Sequence, residues 1–369
     1  VLAVLDRHPH ARSVLSPALT TGGQASHAYL FHGPGGADQR AVARELAAEL
    51  LSEGSADPDS ARARVRSGAH PDLTWVVPSG AHEILVSDIA EPVVAAASKT
   101  PFEASRRVFV IERVDELGDE AANRMLKTLE EPARYVHLIL LTDRLTDVLP
   151  TISSRCQLVR FDASSEEEVA TQLEAPGLSP EEALACAKLS LGDFDHAREL
   201  AGTDGAVLRE HAERLARAVL TGEASQTRPW VELLAAVRGR GETVRQELEQ
   251  RAAAELELYP AKERKRVETE WGERVRRARR RVETQALDLA LQLVGLWYAD
   301  LAALAWEAPE LVRHVHRFDV LRDEPSVEPS RLLGAVELVE ETRQRFELNV
   351  SEELAVEALS YRLERLLAR

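Results

Sequence analysis

The chain is 369 residues long, 44% hydrophobic and 29% charged, with a formal net charge of −16 at pH 7, which is enough chain for two or three domains with buried cores. The negative balance argues against tight nonspecific nucleic-acid binding by the chain alone, since such binding neutralises phosphates with many Lys and Arg, so any nucleic-acid contact is expected to be local or shared with partners. Two cysteines, Cys156 and Cys186, and no C-x-x-C exclude a disulfide framework and a cysteine zinc site and suit a reducing cytoplasm, the expected location.

In chain order, the sequence opens at Val1 rather than Met, so a few native residues are expected ahead of it, and no basic stretch followed by an apolar one marks it for secretion. No apolar run approaches the roughly 18 residues of a membrane span, so no membrane is expected among its partners. Short β-rich apolar runs recur at residues 29–31, 73–77, 108–111, 137–142 and 158–161, with helical patterns between them. That alternation predicts an α/β fold with a mostly parallel sheet. One intervening helix is clear: Ala121, Ala122, Met125, Leu126 and Leu129 share a face, Arg124 and Lys127 lie on the other, and Glu130-Glu131-Pro132 ends it. From about Ser164 the strand signals stop, and a small group of helices broken at Pro176-Gly177 and Gly192 follows.

After Gly222 helix is predicted to the end. The stretch 244–282 is highly charged and poor in large apolar residues, which predicts a protruding helical pair bent near Pro260. Within it Lys262 to Arg281 hold ten basic and four acidic residues. Such a run is ordinarily a solvated helix face with i,i+4 pairs; contact with DNA or an acidic partner is the alternative. The following ALDLALQLVGLWYADLAALAW (286–306) is far more apolar and is expected to form the core helix of a further domain.

The chemistry begins at FHGPGGADQR, residues 31–40. Strand, glycine loop and helix is the order of a P-loop. Gly33, Pro34, Gly35 and Gly36 keep the loop, but the pattern G-x-x-x-x-G-K-[ST] started at Gly33 asks for Gly, Lys and a hydroxyl residue where the chain has Asp38, Gln39 and Arg40. The cation for the β- and γ-phosphates and the Mg²⁺ ligand are both gone. Asp38 places a carboxylate at the helix N-terminus, where it is expected to act as an N-cap for Ala41 or its neighbours and satisfy the helix dipole internally. A divergent site that still binds nucleotide through backbone N–H groups is the alternative.

RVFVIERVDEL (107–117) is an apolar strand ending in Glu112, with Asp115 close behind. This is where a P-loop ATPase keeps its Mg²⁺-organising carboxylate, but Arg113 stands where an active enzyme has a second acid to polarise water. The eleven His residues show no metal-ligand spacing, so neither a metal nor a nucleotide cofactor is expected.

AANRMLKTLEEP (121–132), HLILLTDRLTDVLPTISSRCQLVRF (137–161) and FELNVSEELAVEAL (346–359) follow in that order. Together with SHAYLFHGP (26–34) and HPDL (70–73) they resemble the AAA+ clamp-loader subunits of bacterial DNA polymerase III, the inactive delta-prime type most closely, over essentially the whole chain. Two departures stand out. Many members carry a four-cysteine zinc module where this chain has LSEGSADPDSARARVRSG (51–68), without cysteine, and the charged insertion at about 240–284 is longer than the plainest family pattern.

The resemblance implies an AAA+ domain with a degenerate P-loop at 1–163, a helical lid at 164–222 and a helical collar at 223–369. It implies a non-catalytic subunit in a ring with tau/gamma-type ATPase and delta-type subunits, part of the DNA polymerase III holoenzyme, meeting the sliding clamp and primer-template DNA through the complex. The alternative is an ATP-hydrolysing motor subunit of a clamp loader, and nucleotide affinity of the purified chain separates the two. A freestanding scaffold would leave SSRC unexplained.

In the family the Arg of Ser154-Arg155-Cys156 reaches across the subunit interface to a neighbour's γ-phosphate. That role requires a permanently charged, planar, multiple donor, and such fingers are worth about 10³ to 10⁵ in rate. Cys156 is expected to be a small packing residue, since no Cys–His arrangement is visible. Thr142 stands at the family's γ-phosphate sensor position, and Asp195 where active relatives have a sensing Arg on the lid. Lys127, Glu130 and Glu131 are expected to pair within their helix or lie at a subunit interface.

Overall fold

In the computed structural model the described residues are 2–19, 24–34, 36–78, 84–173, 178–257, 260–346 and 351–367. The chain divides into two compact units: Val1–Ser164 with Asp193–Asp195, and Ser165–Gly192 with His196–Arg369. Gly35, the Pro176-Gly177 break and residues 348–350 of the LNVS motif lie outside the described residues.

The first unit is built on five strands, β1 (Ala28–His32), β2 (Leu73–Val76), β3 (Arg107–Ile111), β4 (Val136–Thr142) and β5 (Gln157–Arg160). All neighbours pair in parallel, in the order β2-β3-β4-β1-β5. Strand β4, VHLILLT, is buried at every position, as a parallel strand covered on both faces must be. Alternation of side chains then makes two cores. Ala28, Leu30, Phe109, Ile111, Leu138 and Leu140 pack on one face with Ala121, Ala122, Met125 and Leu129 of α3 (Asp119–Glu130). Tyr29, Phe31, Val108, Val110, Ile139 and Leu141 pack on the other with Leu15 of α1 (Pro9–Leu19) and Val42, Leu46 and Leu50 of α2 (Gly36–Ser52). Each such large side chain, fully buried, contributes about 1.5 to 3 kcal/mol.

Two polar devices complete this unit. The edge strand β5 would leave N–H groups open to stray pairing, but Arg160 N–H donates to His10 Nδ1 at 3.0 Å, and just beyond the strand Asp162 N–H donates to His8 Nδ1 at 3.1 Å. The HPDL motif is a staple: the fully buried Asp72 carboxylate accepts from the backbone N–H groups of Phe102, Glu103 and Ala104 at 2.6, 2.9 and 2.9 Å. It thereby fixes the loop that leads into β3. Burial works to raise its pKa, but the three N–H groups and the nearby Arg107 outweigh it, and the carboxyl titrates below the ordinary range.

The second unit is helical: α4 (Pro180–Leu189), α5 (Thr203–Leu220), α6 (Trp230–Leu256), α7 (Ala261–Ala305), α8 (Pro329–Arg345) and α9 (Glu352–Leu367) are its longer helices among the described residues. The C-terminal part of α7, with Leu287, Leu291, Val294, Trp297 and Tyr298 buried, packs against α5, α6 and α8. This corrects one expectation. An 18-residue stretch of this helix, mean hydropathy 1.4, is apolar enough to cross a membrane by length and composition; Asp288 and Asp300 interrupt the apolar letters and hid it. Of that stretch, 72% is buried inside the protein, which marks a core helix.

The charged pair takes the form of α6 ending at Leu256 and α7 starting after Pro260. Leu248, Ala252, Leu256, Val267, Trp271 and Val275 make its seam, a sparse stripe that composition alone understated. At Gly241 a Cβ would fall 2.4 Å from Glu283 Oε1, so the Glu283 side chain fills the space that a larger residue would take. Many of the arginines pair along their own helices, Arg245 with Glu249 (2.6 Å), Arg266 with Glu270 (2.7 Å) and Arg279 with Glu283 (2.8 Å).

Candidate functional site

In an open parallel sheet the ligand crevice lies beyond the carboxyl ends of the strands. Here β1, β3 and β4 end at the glycine loop, at Glu112 and Asp115, and at Thr142. Gly33 has φ +128°, and a Cβ there would lie 2.1 Å from Phe161 O, so only glycine lets the loop leave β1 along this path. Pro34 is exposed, and Gly36 is the first residue of α2.

The side chains after the loop turn inward. Gln39 is buried, and its Nε2 donates to the carbonyls of Gly33 at 2.6 Å and Thr142 at 3.2 Å. A neutral amide thus joins the loop to the end of β4 at the position where a P-loop has its lysine. Arg40 folds back over Gly36, whose missing Cβ would meet Arg40 Nη1 at 3.0 Å. Its guanidinium pairs with Asp195 and lies 3.7 Å from Glu112 Oε2. The other Glu112 oxygen accepts from Trp75 Nε1 at 2.6 Å.

Asp38 is not the N-cap. It sits in the first turn of α2, and its carboxylate accepts from Arg7 Nη2 at 3.0 Å and meets His8 Nε2 at 2.9 Å. Because His8 Nδ1 accepts from Asp162 N–H, Nε2 is the nitrogen that carries a proton and donates to Asp38. An acid in the first turn still suits the helix dipole, but what holds it is side chains from before α1, not the backbone of its own helix.

The second acid, Asp115, is fully buried as a side chain; it accepts from Thr142 Oγ1 at 2.6 Å and pairs with Arg144 at 3.0 Å. Thr142 Oγ1 in turn accepts from Arg144 N–H at 3.0 Å. The Thr142 hydroxyl is thereby committed to Asp115, in the turn that follows the neighbouring strand β3. Arg113, with φ +55°, pairs with Glu116. Among the described residues no group of His, Cys, Asp or Glu is arranged to hold a metal.

Ser154-Arg155-Cys156 lies apart from this network, after the short helix Pro150–Ser153. Arg155 Nη2 donates to Glu130 Oε1 at 2.5 Å and Nη1 to Thr151 O at 2.9 Å. Glu130 therefore pairs outside α3, with Arg155. Cys156 packs on the core beneath α3, and burial pushes its thiol up to about 12, so it stays protonated. Arg7, His8, Trp75 and Arg144 were missed by sequence reasoning. Arg7 and His8 carry no motif at all; Arg144 stands within HLILLTDRLTD, but nothing local tells that it turns to Asp115.

A parallel sheet in this strand order, with a glycine loop between β1 and α2 and acids after β3, defines an AAA+ P-loop module. Residues 8–165 match the family described as "DNA polymerase III, delta subunit". It is 34% identical over 198 residues to DNA polymerase III subunit delta' of Bacillus subtilis, covering 53% of this chain and 58% of that one. It is 34% identical over 138 residues to the delta' subunit of Pseudomonas aeruginosa, covering 36% and 42%. To DNA polymerase III subunit tau of Escherichia coli it is 31% identical over 172 residues, covering 45% and 26%. The chain thus aligns with about half of the length of the delta' relatives.

Proposed function

We propose that this chain is a non-catalytic, delta'-type subunit of a DNA polymerase III clamp loader and that Arg155 serves as a trans-acting finger for a neighbouring ATPase subunit. On this reading 1–163 is the AAA+ domain, 164–222 a lid and 223–369 a collar. Its partners are tau/gamma-type and delta-type subunits, with the sliding clamp and primer-template DNA met through the cytoplasmic complex. One observation carries the proposal: each residue that replaces a nucleotide-binding group is spent on an internal partner, Asp38 on Arg7 and His8, Gln39 on two carbonyls, Arg40 on Asp195 and Glu112. Phosphate binding would require breaking all three, with no lysine or hydroxyl to replace them. Arg155 meanwhile stays at the surface, 35% exposed as a side chain.

Two measurements test this. Titration of the purified chain with a fluorescent ATP analogue and Mg²⁺ is expected to show no saturable binding at micromolar nucleotide; saturation there would favour the motor-subunit reading. In the reconstituted complex Arg155→Ala is expected to leave assembly intact, because a surface Arg outside a packed network rarely costs more than about 0.5 kcal/mol. Clamp- and DNA-stimulated ATP turnover should fall severely, and Arg155→Lys should restore little, since a point charge lacks the fork geometry. Undiminished turnover in Arg155→Ala would make the subunit a spacer.

A further inference from the structure

Arg155 does not stand free on its own subunit. Its two terminal nitrogens are held at different points, Nη1 by the carbonyl of Thr151 and Nη2 by Glu130, which lies 25 residues earlier and is the last residue of α3. A carboxylate at that place does nothing for the helix, because the C-terminal turn carries the negative end of the dipole and disfavours an acid. Among the described residues its ion pair is with Arg155, not with Lys127 one turn earlier. The carboxylate is 47% exposed.

We propose that Glu130 is a positioning residue that holds Arg155 against its own subunit until a neighbour's nucleotide takes the carboxylate's place; this rests on the reading of Arg155 as a trans-acting finger. Carboxylate and phosphate compete for the same guanidinium fork, and a γ-phosphate, with more charge and three acceptor oxygens, is the stronger ligand. An exposed ion pair is weak enough to yield. It still competes in the ground state, so it lowers the apparent affinity of the neighbouring site for ATP. Once Arg155 has moved to the phosphate, Glu130 has no part in the transition state.

The test is steady-state ATP turnover of the reconstituted complex with clamp and primed DNA, comparing Glu130→Gln, Glu130→Ala, Arg155→Ala and the Glu130→Gln/Arg155→Ala pair, with assembly checked by gel filtration. Removing the competing charge is expected to lower KM for ATP by about two- to fivefold in both Glu130 variants and to leave kcat unchanged, the pattern of altered uniform binding. In the Arg155→Ala background Glu130→Gln should change nothing further. An unchanged KM in Glu130→Gln, with Arg155→Ala impaired, overturns the latch and leaves the finger standing. A lowered kcat in Glu130→Gln also overturns it, because Glu130 would then be orienting Arg155 for the reaction. Undiminished turnover in Arg155→Ala overturns the finger and this proposal together.

Discussion

Replacing Gln39 tests the closed loop most directly, because one buried amide joins the loop to the end of β4. Gln39→Met keeps nearly the same length and volume but removes both donors. At about 0.5 to 1.5 kcal/mol net for each lost hydrogen bond, the two bonds to Gly33 O and Thr142 O set an expected loss of about 1 to 3 kcal/mol. Gln39→Ala removes the same bonds and also the packing of the side-chain stem, at about 0.8 kcal/mol for each buried methylene, which brings the loss to about 2 to 4 kcal/mol. Native-state amide exchange of β1 and β4 is the suitable assay, since it reports opening of the sheet unit whatever the helical unit does. Neither variant should gain affinity for ATP. Unchanged protection of the β4 amides in Gln39→Met would refute the idea that the amide bonds hold the loop.

Asp38 should couple to Arg7: a double-mutant cycle with Asp38→Ala and Arg7→Ala, followed by the same exchange measurement, is expected to give about 0.5 to 1.5 kcal/mol of interaction, whereas a backbone-capping Asp38 would give none. Asp72 sets an acid limb to stability. Its folded pKa is depressed, so its contribution is present above the unfolded carboxyl value, about 3.9, and is lost as pH falls through the lower folded value. Denaturation of Asp72→Asn across pH 2 to 6 should therefore show lower stability near neutrality and a shallower decline in acid than the parent; parallel curves would count against the staple.

What the amino-acid sequence determined by itself was everything set by local periodicity and spacing. The apolar runs predicted all five strands, the spacing of Ala121, Met125 and Leu129 predicted α3, and the order of the motifs located the P-loop, the acids after β3 and Ser154-Arg155-Cys156. These are legible because helix and strand periods repeat within a few residues and because burial on both sheet faces demands uninterrupted apolar strands. The long apolar helix was read correctly as a core element but not as one long enough to resemble a membrane span, since two aspartates broke the pattern of letters without breaking the helix. Only the tertiary structure decided the partners. Asp38 read as a cap because its neighbours in sequence are backbone N–H groups, yet Arg7 and His8, about thirty residues earlier, reach it first. Asp195 was noticed only as a missing arginine; across 155 residues it is the counter-charge of Arg40. Glu130 was expected to pair within its helix and instead meets Arg155, which the packing of α3 beside the loop after β4 brings to it. Such pairings follow from how the strands order themselves in the sheet, and a charge's nearest opposite charge in space leaves no period in the sequence by which to find it.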